Sequence, residues 1–462
     1  MRKIILALLM SVCMTTHAQW FTGMSQKTGL ALCIHLGDSV CNLYSPMQTM
    51  EPLPVSSWSL EGNKLAIECK TLGFKTVLTR NIAKSDEDLP DWVEEKYTWH
   101  GYWKQGLLKE DITFYPTDTI FQLRRPQTPQ PPYRFGEETV AADYTDSQGN
   151  KVHIEGTLTF PKGVGPYPTI VLVSGSGQQN RDEEIFQHKP FLVLADYLAS
   201  RGIAVLRYDD RGVGASTGPL DSADTRLFAE DAEAMLRAVR KNKHVDPKRL
   251  GIGGHSEGGA IAPMVAARNN GVKFVVMLAG QGCTGLDVLV QQNEALFRAR
   301  GVSQRLCKKR GNCMRELFAL PQGSSVKDYQ AIIVRYLDSL GKAEADSIEL
   351  KKGMAYALKQ QLDSRWMQTF LTLDPAEYLP RVKCPILALN GCKDCQVLCE
   401  PNLKRIEELT EGRAAIIQLR WLNHLFQHCT TGSPDEYILT EETFDPYTMT
   451  TIADWILSLS NH

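Results

Sequence analysis

The chain has 462 residues, of which 43% are hydrophobic, and a formal charge of −2. That length exceeds one ordinary core and implies two or three units, one of them large, while the apolar share excludes a disordered chain. The near-neutral charge, more negative still once Arg2 and Lys3 leave with a leader, excludes a polyanion-binding surface and with it nucleic acid as a partner.

At the N-terminus, Arg2 and Lys3 precede an apolar run from Ile4 to Met14 and then Thr16-His17-Ala18, a small-x-small cleavage pattern. Residues 1–18 therefore read as a signal peptide; the run is shorter than the ~20 apolar residues a membrane anchor needs. Val12 is too bulky for the small residue expected before a lipidated Cys13. No other stretch reads as a span, so the mature protein is expected to be secreted or periplasmic, without stable membrane insertion. Its oligomeric state is left open.

From Trp20 to about Leu123 short β-like runs alternate with turn residues: ALCIHL, CNLYS, VSSWSLEGNKLAIEC, FKTVLTR, YTWHGYWK and ITFYP. Residues 19–123 are expected to form a small all-β domain, a β-barrel or β-sandwich. RRPQTPQPPYR follows, with four prolines in eleven residues, and residues 124–137 read as an extended linker.

Residues 138–462 have a different texture. TVAADYTD and KVHIEGTLTF flank the turn Ser147-Gln148-Gly149-Asn150 and predict a hairpin. Continuous apolar runs follow, PTIVLVSG, GIAVLRYD, LGIGG, FVVMLAG, PILALNG and AAIIQLR, with helical patterns over 225–242, 257–269 and 447–460. Buried strands alternating with helices define an α/β fold with a mostly parallel sheet covered on both faces. One interval, about 284–380, is helical throughout and reads as a cap inserted over the C-terminal edge of the sheet. After the leader eleven cysteines remain, and five crowd the C-terminal part: Cys384, Cys392, Cys395, Cys399 and Cys429. Their spacing lacks the second pair of a zinc site, so disulfides or inert thiols are expected, in no deducible pairing.

Three stretches compete to present a reactive serine: Gly175-Ser176-Gly177, Gly214-Ala215-Ser216-Thr217-Gly218, and Gly254-His255-Ser256-Glu257-Gly258. A nucleophile elbow needs a strand entering and a helix leaving, so that the helix N-terminus and the backbone N–H groups face one carbonyl. Only Ser256 has both. A serine needs a base, and the base needs an orienting carboxylate. Asp394 is the first acid after PILALNG, with Glu400 its competitor, and His424 is the first histidine after AAIIQLR, with His428 its competitor. The oxyanion donors are expected from Glu257 N–H and from Ser176 or Gly177 in the glycine loop. Arg181, Asp182 and Glu183 follow that loop as substrate contacts or as a surface ion-pair cluster.

GHSEGG, SGSGQQNRDE, YDDRGVGAS, LNGCKDCQV and NHLFQ together resemble the secreted serine esterases of the α/β-hydrolase superfamily, near dienelactone hydrolases and acylaminoacyl peptidases. The resemblance covers roughly Glu138 to His462 and implies a Ser256–His424–Asp394 triad acting on carboxylic esters, expected to be of short acyl groups, small or glycan-linked. It implies no metal and no organic cofactor. The cysteines around Asp394 depart from the family pattern, and the N-terminal region resembles a lipocalin-like unit. Two alternatives remain: a serine peptidase or amidase of the same superfamily, and a non-catalytic ligand-binding protein on this scaffold.

Overall fold

Alternation builds the first unit. In the computed structural model, which describes residues 19–459 except 28, 38, 83–96, 107 and 340–347, β1 (Gln19–Met24), β2 (Ala31–Leu36), β3 (Cys41–Ser45), β4 (Thr49–Leu53), β5 (Ser57–Glu61), β6 (Lys64–Cys69), β7 (Phe74–Ile82), β8 (Tyr97–Gln105) and β9 (Leu108–Thr117) form one antiparallel sheet. The signal peptide read at 1–18 lies outside the described residues. The strand order is β4-β3-β2-β1-β9-β8-β7-β6-β5, so the two outer strands are consecutive in the chain. Every second residue of β6 and β9 is buried, and Leu65, Ile67, Cys69, Ile112 and Phe114 among them join Phe21, Ile34, Leu43, Leu78 and Trp99 in a single apolar cluster. One continuous nine-stranded sheet with a single apolar cluster is the result. β1 and β4 are strands that the sequence runs did not include.

Chain contacts group residues up to Arg124, with Ile185–Gln187, as one compact unit and the remainder as another. In the second, Arg125 bonds the carbonyls of Ile438 and Thr440, and Gln127 bonds the backbone of Thr443 and Phe444. The proline-rich stretch is thus fastened along its own unit by side-chain donors and acceptors, and the first strand already begins at Phe135, inside the stretch read as linker.

This second unit is built on eight strands: β10 (Phe135–Thr145), β11 (Lys151–Pro161), β12 (Tyr167–Val173), β13 (Ala204–Tyr208), β14 (Val245–His255), β15 (Val275–Leu278), β16 (Ile386–Gly391) and β17 (Ala414–Leu419). They lie in the order β10-β11-β13-β12-β14-β15-β16-β17; β10 and β11 are antiparallel to their neighbours, and all the other pairs are parallel. Helices α2 (Thr225–Val239), α3 (Glu257–Ala266) and α9 (Cys399–Leu409) cover one face, and α1 (Pro190–Ser200) and α10 (Pro446–Ser458) the other. The chain crosses from one side of β12 to the other between β13 and β14, which opens a crevice at the carboxyl ends of β12 and β14.

The inserted cap comprises α4 (Gly285–Ala299), α5 (Gln304–Phe318), α6 (Val326–Ser339), α7 (Ile348–Leu362) and α8 (Arg365–Leu371), packed around an apolar cluster of its own that includes Leu317, Tyr329 and Met367. Among the described residues no helix is long and apolar enough to cross a membrane.

Arg211, completely buried, ties the hairpin to α2: Nη1 meets Asp146 Oδ2 at 3.0 Å, Nε meets Asp231 Oδ2 at 2.8 Å, and Nη2 meets Tyr144 Oη at 3.0 Å. Removing the cation strands two buried carboxylates, so Arg211→Leu is expected to cost roughly 3–5 kcal/mol of unfolding free energy. Urea denaturation of the two proteins measures it, and a loss under about 1 kcal/mol would contradict this account.

Candidate active site

The apolar run of β14 ends at His255 and α3 begins at Glu257, leaving Ser256 alone to reverse the chain. Ser256 adopts φ 54° and ψ −116°, a strained conformation for a residue with a Cβ. Its N–H bonds the Leu278 carbonyl of β15 at 2.9 Å. The flanking glycines answer to close approach: a Cβ on Gly254 would lie 2.2 Å from the Gly258 carbonyl oxygen, and one on Gly258 would lie 2.1 Å from that of Val173. On the far side of the crevice, the Gly175 backbone leaves a side chain only 3.2 Å from the Ser256 Cβ. The end of β12 therefore abuts the serine. Ser176 and Gly177 follow in an exposed loop, Gly177 at φ 109°. At the start of α3, the first N–H groups lack intrahelical partners, and that of Glu257 comes directly after the serine.

Asp394 and His424 lie on the loops after β16 and β17, as their order in the sequence requires. Asp394 Oδ1 accepts from the N–H groups of Gln396 (2.7 Å) and Val397 (2.9 Å), and its Oδ2 meets His424 Nδ1 at 2.7 Å. The side chains are 0% and 4% exposed. Asn423 Oδ1 accepts from Leu425 N and Gln427 N, both at 3.0 Å, which tightens the turn that presents His424. With Nδ1 committed to a carboxylate that is held by two backbone donors, the imidazole is fixed in the tautomer with Nε2 unprotonated, the form that accepts a proton.

The sequence competitors are engaged elsewhere. His428 is exposed and bonds Glu442 at 2.9 Å. Ser216 is buried, donating to the Asp209 carbonyl and accepting from Glu155 N. His188, upstream of the serine and no competitor for the base, bonds Thr443 and the Tyr437 carbonyl, and burial lowers it to about 4. Glu400 stands in the first turn of α9, where it favours the helix N-terminus.

Sequence reads Glu183 as a substrate contact or as part of a surface ion-pair cluster, and the structure buries it beside the elbow. Its Oε1 accepts from Gly175 N at 2.6 Å and from His255 Nδ1 at 2.9 Å, while His255 Nε2 faces the His424 carbonyl at 2.9 Å. Burial opposes a charge on His255, but Glu183, the His424 carbonyl and Asp394 outweigh it and hold the imidazole above the usual histidine range. One carboxylate thereby joins the glycine loop, the elbow and the histidine loop. Arg181 grips Asp209 with Nη2 at 2.6 Å, and Asp182 pairs with Arg207, so both hold the loop.

Glu257 carries a second link. Its carboxyl accepts from Thr225 Oγ1 at 2.6 Å and from Trp366 Nε1 at 3.0 Å to each oxygen, and Arg365 beside Trp366 pairs with Asp224 at 2.8 Å. The cap helix α8 is thus fastened to the residue next to Ser256. Burial pushes the Glu257 carboxyl up to about 7.

Sheet order, elbow and loop positions together give the chain an α/β-hydrolase fold. Residues 188–412, just under half of the chain, match the family model described as serine aminopeptidase, S33. Esterase EstD of Thermotoga maritima is 29% identical over 274 residues, 59% of this chain and 58% of that protein; the chain spans less than two thirds of that relative. An uncharacterized 31.7 kDa protein of Escherichia coli is 24% identical over 242 residues, 52% of this chain and 76% of its own length. Among solved structures, the α/β hydrolase GrgF from a Penicillium species is similar at a TM-score of 0.42 and 15% identity, covering 70% of this chain and 99% of that one.

Raising the Glu257 value makes its neutral form the one the fold favours, so this stability is complete below the ordinary carboxylate value of 4.5 and is lost as pH rises through about 7. Between those pH values the wild type is expected to lose about 3 kcal/mol more than Glu257→Gln. Urea midpoints of both proteins at pH 4.5 and 7 test this, and parallel losses would refute it.

Proposed function

We propose that this chain is a secreted or periplasmic serine carboxylesterase acting through an acyl-enzyme. The observation that carries the reading is the buried 2.7 Å His424–Asp394 pair on the loops beside the strained Ser256 elbow. In the proposed reaction, Ser256 Oγ attacks the ester carbonyl while His424 Nε2 takes the hydroxyl proton. Asp394 stabilises the imidazolium that forms. The oxyanion of the tetrahedral intermediate receives Glu257 N–H and the N–H of Ser176 or Gly177. Collapse expels the alcohol, protonated by His424; water, deprotonated by the same nitrogen, then releases the acid and restores Ser256.

The similarity to an esterase supports ester chemistry, and a preference for short acyl groups is part of the proposal. A serine peptidase or amidase is the second reading, favoured by the aminopeptidase description of the matching family model. Both use the same residues and differ in the leaving group that His424 must protonate.

Hydrolysis of p-nitrophenyl esters from acetate to palmitate, by wild type and Ser256→Ala in parallel, tests the proposal. Turnover fastest on the short esters and at least ~10⁴-fold slower in the variant is expected. Turnover of aminoacyl amides without turnover of esters would transfer the assignment to the second reading. Glu183→Gln keeps the shape but weakens the hold on Gly175 N–H and on His255, so kcat is expected to fall roughly 10–100-fold with KM little changed.

A further inference from the structure

Cys392 directly follows β16 and Cys399 opens α9, so the six residues between them are the loop that carries Asp394. That loop is already cinched by polar contacts: Asp394 N donates to the Gly391 carbonyl at 3.0 Å, and Asn390 Nδ2 donates to that of Val397 at 2.7 Å. The two sulfurs converge across its base. Cys392 Sγ and Cys399 Sγ are 3.6 Å apart, and Cys399 Sγ also faces the Asn390 carbonyl at 3.6 Å. The neighbouring thiols face backbone carbonyls, Cys395 those of Lys393 and Thr431, and Cys429 that of Trp421.

A disulfide needs sulfurs at ~2.05 Å, a closure within reach of side-chain torsions for a pair already in contact. We propose that Cys392 and Cys399 form a reversible disulfide that staples the loop of Asp394 between β16 and α9, using an aliphatic disulfide such as oxidised glutathione as the electron acceptor. Cys392 is the exposed member and Cys399 the buried one. The Cys392 thiolate attacks one sulfur of the incoming disulfide, forming a mixed disulfide and expelling one thiolate. Cys399 then gives its proton to solvent and attacks Cys392 Sγ, forming the internal bond and expelling the second thiolate. Two electrons pass from the pair to the acceptor, which leaves as two thiols. Burial, then the adjacent Cys392, Asp394 and Glu400, raise the Cys399 thiol, which makes exposed Cys392 the entry point and Cys399 the resolving sulfur.

Trypsin places the two cysteines in different peptides, 384–393 and 394–404. After equilibration with oxidised glutathione, alkylation and digestion, mass spectrometry of the full chain is expected to find these peptides joined, with fragmentation placing the link at Cys392 and Cys399. The link should vanish in Cys392→Ser and in Cys399→Ser and persist in Cys395→Ser. Reduction should lower the wild-type melting temperature by roughly 3–6 °C and leave that of Cys392→Ser unchanged. Two separately alkylated peptides, a link through Cys384 or Cys395, or an equal response to reduction in the wild type and Cys392→Ser would overturn the proposal.

Discussion

The reversal of the backbone at Ser256 is the constraint on which the second unit depends. A non-glycine residue held at φ 54° costs on the order of 1–3 kcal/mol, and it persists only where its surroundings leave no alternative. Here β14 enters from the middle of the sheet, pinned by β12 on one side and β15 on the other. The helix that leaves must lie so close to β12 that Gly258 has no space for a Cβ. The packing of four elements thus holds one strained residue at the rim of the crevice.

Around that point, the polar side chains act as ties between loops. Glu183, itself at φ 52°, holds Gly175 and His255, and His255 in turn holds the histidine loop by its carbonyl. Asp394 is held by two amides before it holds His424. Each tie satisfies a group whose burial would otherwise be costly, so the desolvation of these charges and the placement of the loops are one problem with one solution.

Much of this was legible because the buried strands are continuous apolar runs. PTIVLVSG, FVVMLAG and PILALNG each became a central strand, and the strand-to-helix context singled out Ser256 from its competitors. What escaped had a weaker local signature. Helix α1, PFLVLADYLAS, is buried nearly all round and shows no amphipathic period. Helix α9 opens with Cys-Glu-Pro, which reads as a turn. β10 starts at Phe135, directly after a proline-rich run that looks like a spacer. Glu183 escaped for a different reason: its partner His255 is 72 residues away, and only folding brings the two together. Burial of a charge is a property of the tertiary structure, and three adjacent charged residues do not show locally which of them will be buried.

The cap has a further significance in its points of attachment. It leaves after β15 and returns at β16, and those strands are adjacent and paired in register from Val275–Ile386 to Leu278–Leu389. A hundred residues therefore depart from and return to neighbouring strands, as a closed excursion from the sheet. Its moorings to the elbow are two side chains of one helix, Trp366 on Glu257 and Arg365 on Asp224, so the inserted helices meet the site through contacts of side chains and not through the sheet.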